Sequence, residues 1–80
     1  MIIFILMQSY DYTPSVILGA FPTLQAAQAY AEALAKDNGD ELDRDVDEDY
    51  APDNLADAFF IDGVYHEILT TRLHEGTKNL

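Results

Sequence analysis

From Ile2 to Met7 every position is apolar, so a period-two reading puts hydrophobic side chains on both faces of one extended segment. That pattern suits a central strand, covered on one side and at least partly packed on the other. Tyr10-Asp11-Tyr12-Thr13-Pro14-Ser15 supplies turn residues, and Val16-Ile17-Leu18-Gly19-Ala20-Phe21 returns as a second β-rich run. The two runs predict an antiparallel hairpin.

Thr23 follows Pro22 and precedes an alanine-rich stretch from Leu24 to Lys36, where its hydroxyl is placed to cap a helix. Asn38-Gly39 is the expected stop. Leu24, Ala27, Tyr30, Ala31 and Leu34 fall on one stripe at helical spacing, and the small alanines would let the helix axis come close to a sheet. The stripe reads as core.

Further on, Phe59-Phe60-Ile61 and the run from Val64 to Thr71 flank Asp62-Gly63, a dipeptide that favours a two-residue hairpin turn. The alternative is one strand broken by a glycine bulge. The expected class is α+β, an antiparallel sheet of three or four strands with one helix on one face, in the order ββαβ or ββαββ. A right-handed crossover would set the strand after the helix beside strand 1 and antiparallel to it, making strand 1 central. Residues 1–80 read as one domain, with 75–80 as a frayed tail. A monomer is expected, although an exposed edge at strand 2 or at the last strand could pair in a dimer.

Charge changes this picture most. Of the net −11, −9 lies between Asp37 and Asp57, where ten acids face the lone cation Arg44. Such a charge argues against nucleic acid or an anionic membrane as a direct partner and for a basic protein surface. With no cysteine, disulfides, thiolate chemistry and Cys-ligated metals are excluded. The apolar opening lacks a basic flank and is too short for a signal peptide, so a cytoplasmic location is expected.

The sequence Ile3-Phe4-Ile5-Leu6, then Val16 to Thr23 opening an alanine-rich helix, then a late aromatic strand, resembles small ββαβ proteins of bacteria and their phages. The likeness covers most of the chain except 37–57, and it implies a fold in which the Gly-x-Phe lead-in to the helix serves packing. In size, acidity and plain scaffold the chain also resembles phage anti-CRISPR proteins, with a length and opening most similar to a type I-C inhibitor. That resemblance implies inhibition of a Cascade-type effector, in the host bacterial cell, by occupying surfaces meant for DNA. It assigns no role to any single residue.

The acidic run bears two chemical readings besides that of a solvated linker. As a calcium loop starting at Asp43 it would need glycine at 48 and glutamate at 54, where the chain has Glu48 and Asn54. As a phosphate mimic, Asp43, Asp45, Asp47 and Asp49 would repeat at ~6.6–6.8 Å on one face if extended, whereas Asp45, Glu48 and Asp49 would cluster on one side if helical. Asp40, Glu41, Asp43, Asp45, Asp47, Glu48, Asp49, Tyr50 and Asp53 are therefore the candidate partner-binding residues, with Val46, Tyr50 and Leu55 as apolar anchors. The leading expectation is an acidic inhibitor that fills a Lys/Arg-lined nucleic-acid channel. The alternative is a generic acidic protein-binding or accessory module.

No catalytic or cofactor motif is found. His66 and His74 each adjoin a glutamate, but neighbours on a strand point to opposite faces, so both read as surface or edge-strand histidines rather than metal ligands. Ser9 and Ser15 sit in no nucleophile elbow. Tyr10, Tyr12 and Tyr50 lack the basic residues that would hold a nucleic-acid backbone and read as protein-interface anchors. Because the acidic run lacks the glycine and the terminal glutamate of a high-affinity loop, millimolar calcium should leave the melting temperature unchanged. Saturable calcium binding at micromolar levels in a calorimetric titration would refute this.

Overall fold

The computed structural model describes residues 1–9, 14–44, 46 and 52–72. It contains strands β1 (Ile2–Ser9) and β2 (Val16–Phe21), helix α1 (Leu24–Asp37), and strands β3 (Leu55–Ile61) and β4 (Val64–Arg72). One four-stranded sheet runs in the order β2-β1-β4-β3 with every neighbouring pair antiparallel. The α+β class, the hairpin of β1 with β2 and the single helix follow the sequence expectation. His74, residues 10–13 of the expected first turn and the expected tail at 75–80 lie outside the described residues.

The strand order corrects one expectation. The strand beside β1 is β4, paired continuously from Ile2 with Arg72 to Ser9 with Tyr65, and β3 is an edge. The Asp62-Gly63 step makes β3 and β4 a hairpin, and the β1–β4 ladder decides which of its arms lies inside. Both residues have positive φ, 51° and 76°, so the backbone makes a tight two-residue turn of type I′ handedness and not a bulge. The chain after the helix therefore enters as the outer arm of a hairpin and returns as the inner arm. Consequently the last described strand is interior and is not available as an edge.

Helix α1 begins and ends where the local chemistry dictates. Thr23 is extended, and its Oγ1 accepts from the Ala26 amide at 3.1 Å. At the other end Gly39, with φ 71°, sends its amide to the Lys36 carbonyl while Asp40 reaches the Ala35 carbonyl at 2.9 Å. Those two bonds form a Schellman closure. The buried helical residues are Ala27, Ala31 and Ala35, with Leu24 and Leu34 packed at their flanks. Tyr30 departs from the expected stripe. It is 44% exposed, with its ring 5.4 Å from that of Phe21.

The core lies between the alanine stripe and one sheet face, where Leu6, Phe59, Ile61 and Ile68 are buried. Register accounts for the set. Leu6 stands opposite Gly19 on one side and Ile68 on the other, while Phe59 stands opposite His66. Each fully buried Leu, Ile or Phe contributes about 1.5–3 kcal/mol of transfer free energy. The Phe21 ring lies over Gly19, where a Cβ would meet ring carbons at 2.9 and 3.0 Å. The Gly-x-Phe lead-in thus closes this end of the core.

His66 overturns the expectation of a surface or edge histidine, being 1% exposed on an interior strand. Its ring stacks on Phe59 at 6.0 Å. Nδ1 donates to the Val64 carbonyl at 2.8 Å, which leaves Nε2 to accept from the Gln8 amide at 3.2 Å. Burial pushes its pKa below the usual 6.5, against a smaller opposite effect of the Val64 hydrogen bond. The unfolded chain then takes up a proton that the folded protein resists. Stability is fully present above about pH 6.5 and declines as pH falls toward the lowered folded-state pKa. His66→Gln should flatten the dependence of unfolding free energy on pH below about pH 6.5, measured by urea titration. An unchanged slope would show that the imidazole does not govern this range.

Candidate functional site

The acidic segment starts where the Schellman closure turns the chain out of α1 and back along the sheet. Leu42 packs on the core, with exposed Glu41 and Asp43 on either side of it. Asp43 exchanges both backbone hydrogen bonds with Phe60, at 2.9 and 2.7 Å, so it adds a bridge to the outer edge of β3. Asp40 accepts the Asp62 amide through Oδ2 at 2.6 Å and thereby holds the β3–β4 turn. Residues 40–43 are thereby fastened to the fold.

Arg44 and Asp57 are spent on each other. The Arg44 Nη1 donates to both Asp57 carboxylate oxygens, at 2.6 and 2.5 Å, and its guanidinium lies 5.6 Å from the Phe59 ring centroid. Asp57 also accepts from Gln28 Nε2 at 3.0 Å and from the Ala58 amide at 2.9 Å. The expected acidic loop over 37–57 thus ends earlier than composition suggests, because Leu55, Ala56 and Asp57 are already strand. Leu55 is half-buried and stands opposite Leu69, while a bulge between Leu55 and Asp57 turns the Asp57 carboxylate toward the helix.

At the far end of β3, Asp53 is exposed in the turn that leads into the strand. Asn54 fastens that turn to β4, with Nδ2 on the Thr70 carbonyl at 2.8 Å and its own carbonyl accepting from the Thr70 amide at 2.9 Å. Asp43 and Asp53 therefore mark the two ends of one sheet edge, roughly 20 Å apart at the strand rise. The structure brings Asp40, Glu41, Asp43 and Asp53 to this edge. The other candidates, Asp45, Asp47, Glu48, Asp49 and Tyr50, lie outside the described residues, between the two anchored ends in sequence.

Two further features bear on function. A cleft of about 520 Å³ opens between α1 and the segment after it, lined by groups of alternating sign that include Glu32, Lys36, Glu41 and Arg44. Among the described residues, no group of three or more His, Cys, Asp or Glu could hold a metal ion. The sheet face opposite the helix carries Ile5, Met7, Ile17, Leu69, Phe60 and Tyr65, with Glu67 accepting from the Tyr65 hydroxyl at 3.3 Å. Sequence reasoning found this face only through the all-apolar β1. Among the described residues no helix is long and apolar enough to cross a membrane.

Compared with family models, with curated proteins and with solved structures, the chain gives no match. Fold and site together define the protein as a helix-on-sheet α+β domain with an acid-lined outer edge.

The Arg44–Asp57 pair is what holds the start of the acidic run on β3. Arg44→Ala should lower hydrogen-exchange protection of the Asp43 and Phe60 amides while costing about 1 kcal/mol or less of global stability, since Arg44 is half exposed. Unchanged protection at both amides would show that the backbone bridge stands without the ion pair.

Proposed function

We propose that this protein is an acidic inhibitor that docks the β3 edge and the run from Asp37 to Asp53 onto a basic protein surface built to hold nucleic acid. A Cascade-type CRISPR effector is the target class implied by the resemblance. One observation carries the reading. The segment holding most of the net charge is fastened at both ends of an exposed sheet edge, and its only cation, half-exposed Arg44, is paired with Asp57. Every other charge in the segment is negative.

Anchoring matters energetically because a segment held at both ends loses less conformational freedom on docking than a free tail. A single rim charge contributes only ~0.2–1 kcal/mol to a pair in solvent. Several anions facing one basic groove act through their summed field, which speeds encounter and weakens as salt rises. DNA should compete for the same surface of the target.

The test is a pull-down from cells carrying a type I CRISPR system, followed by DNA-binding assays on the captured effector. Reversing Asp43, Asp45, Asp47 and Asp49 together to Lys should abolish capture and inhibition while the far-UV circular dichroism stays unchanged. Glu32→Lys, on the helix, should matter far less per charge. Equal loss per charge from Glu32 would replace the localised surface by diffuse net charge. Capture of a basic partner that is not a nucleic-acid-binding complex would favour a generic accessory module.

A further inference from the structure

Among the described residues His66 is the one polar or charged residue that is buried, and it belongs to a row, Phe59, His66, Gln8 and Val16, that crosses all four strands. A carbonyl can only accept, so the bond to Val64 keeps the ring proton on Nδ1 and leaves Nε2 bare toward Gln8. A second proton on the ring would point at the amide donor of Gln8. Turning that amide over would offer its oxygen instead, yet the cation would still lie in a site that is 1% exposed.

Among the described residues no element packed around the ring gives either of its nitrogens an anion. From β1 it meets Gln8 and from β3 the ring of Phe59, beside which lies Arg44, a cation already held by Asp57. The titratable residues of α1, Tyr30, Glu32, Lys36 and Asp37, are exposed, and β2 has none. At the β3–β4 turn Asp40 is engaged by the amide of exposed Asp62. On its own strand Tyr65 and Glu67 alternate to the other face, where they bond to each other.

The site lies at an end of the β1–β4 ladder, where Gln8 with His66 and Ser9 with Tyr65 are the last two pairs of a run that starts at Ile2 with Arg72. We infer that His66 is a proton-sensitive latch for this end of the sheet: it is closed while the imidazole is neutral, and on taking up a proton from water it lets Gln8 and Ser9 lift from β4 while the Ile2 end and the β3 edge stay paired. Freeing two pairs exposes the ring, whereas global unfolding gives up the whole core, so the proton selects the smaller opening. The open form binds a proton that the closed form resists. The opening constant therefore grows by up to roughly tenfold for each pH unit below about 6.5, until the lowered pKa of the closed form is reached. The acidic segment, bridged to β3 through Asp43 and Phe60, is not part of the moving end.

The test is amide hydrogen exchange of the full chain, followed by NMR between about pH 7.5 and about pH 5.5 and corrected for the intrinsic exchange rate. Protection at Gln8, Ser9 and His66 should fall by up to roughly tenfold per pH unit below about pH 6.5, while Phe4, toward the other end of β1, and Phe60, bonded to the Asp43 carbonyl, should not follow. His66→Gln should remove the pH dependence at the Gln8 end. Gln8→Glu sets a carboxylate at Nε2, so the NMR titration midpoint of the imidazole should rise above about 6.5 and acid should no longer loosen this end. Should either variant lose its fold, the comparison of Gln8 with Phe60 in the unaltered protein decides by itself. Equal pH slopes at all these amides would mean global unfolding and overturn the latch, as would a flat profile at Gln8 or a slope that survives His66→Gln.

Discussion

The ladder between β1 and β4 is the interaction on which everything else rests. A two-stranded hairpin alone is marginal in water, and this chain has one at each end, β1 with β2 and β3 with β4. Pairing Ile2 through Ser9 against Tyr65 through Arg72 joins them into one sheet. Only then does a continuous face exist for the alanine side of α1 to cover. The Gln8–His66 hydrogen bond is a product of the same ladder, linking residues 58 positions apart in sequence.

From that ladder follows the division of the sheet into two uncharged strands and an acidic far edge. β1 and β2 occupy one side of the sheet and carry no charge, while β3 occupies the far edge and receives the acidic segment. The inner position of β4 forces this arrangement, since β3 must then lie outside with an open edge. Asp43 pairs with that edge, and Arg44, one residue on, reaches Asp57 on the strand itself.

His66 illustrates how far local reasoning reaches. Alternation along a strand separates His66 from Glu67, but which of them faces the helix depends on the pairing of β4 with β1. The ladder sets His66 opposite Gln8 and Phe59, on the covered face, and Glu67 opposite Met7 and Ala58 on the other. Tyr30 is the converse case. It has the spacing of a core residue, yet the narrow seat of Ala27, Ala31 and Ala35 brings the helix down so that Tyr30 is displaced to the margin, against Phe21.

The sequence by itself determined the elements whose cause is local. The hydroxyl of Thr23, the glycine at 39, the Asp62-Gly63 turn and the all-apolar β1 each constrain the backbone within a few residues. The composition of 37–57 likewise announced an acidic surface before any fold was known. Tertiary structure alone decided that β4 and not β3 lies beside β1, that Asp57 and Arg44 neutralise each other instead of facing a partner, and that the apolar and acidic edges stand at opposite ends of one sheet. These outcomes depend on which strand meets which across tens of residues, and side-chain periodicity fixes the faces of a strand without fixing its neighbour.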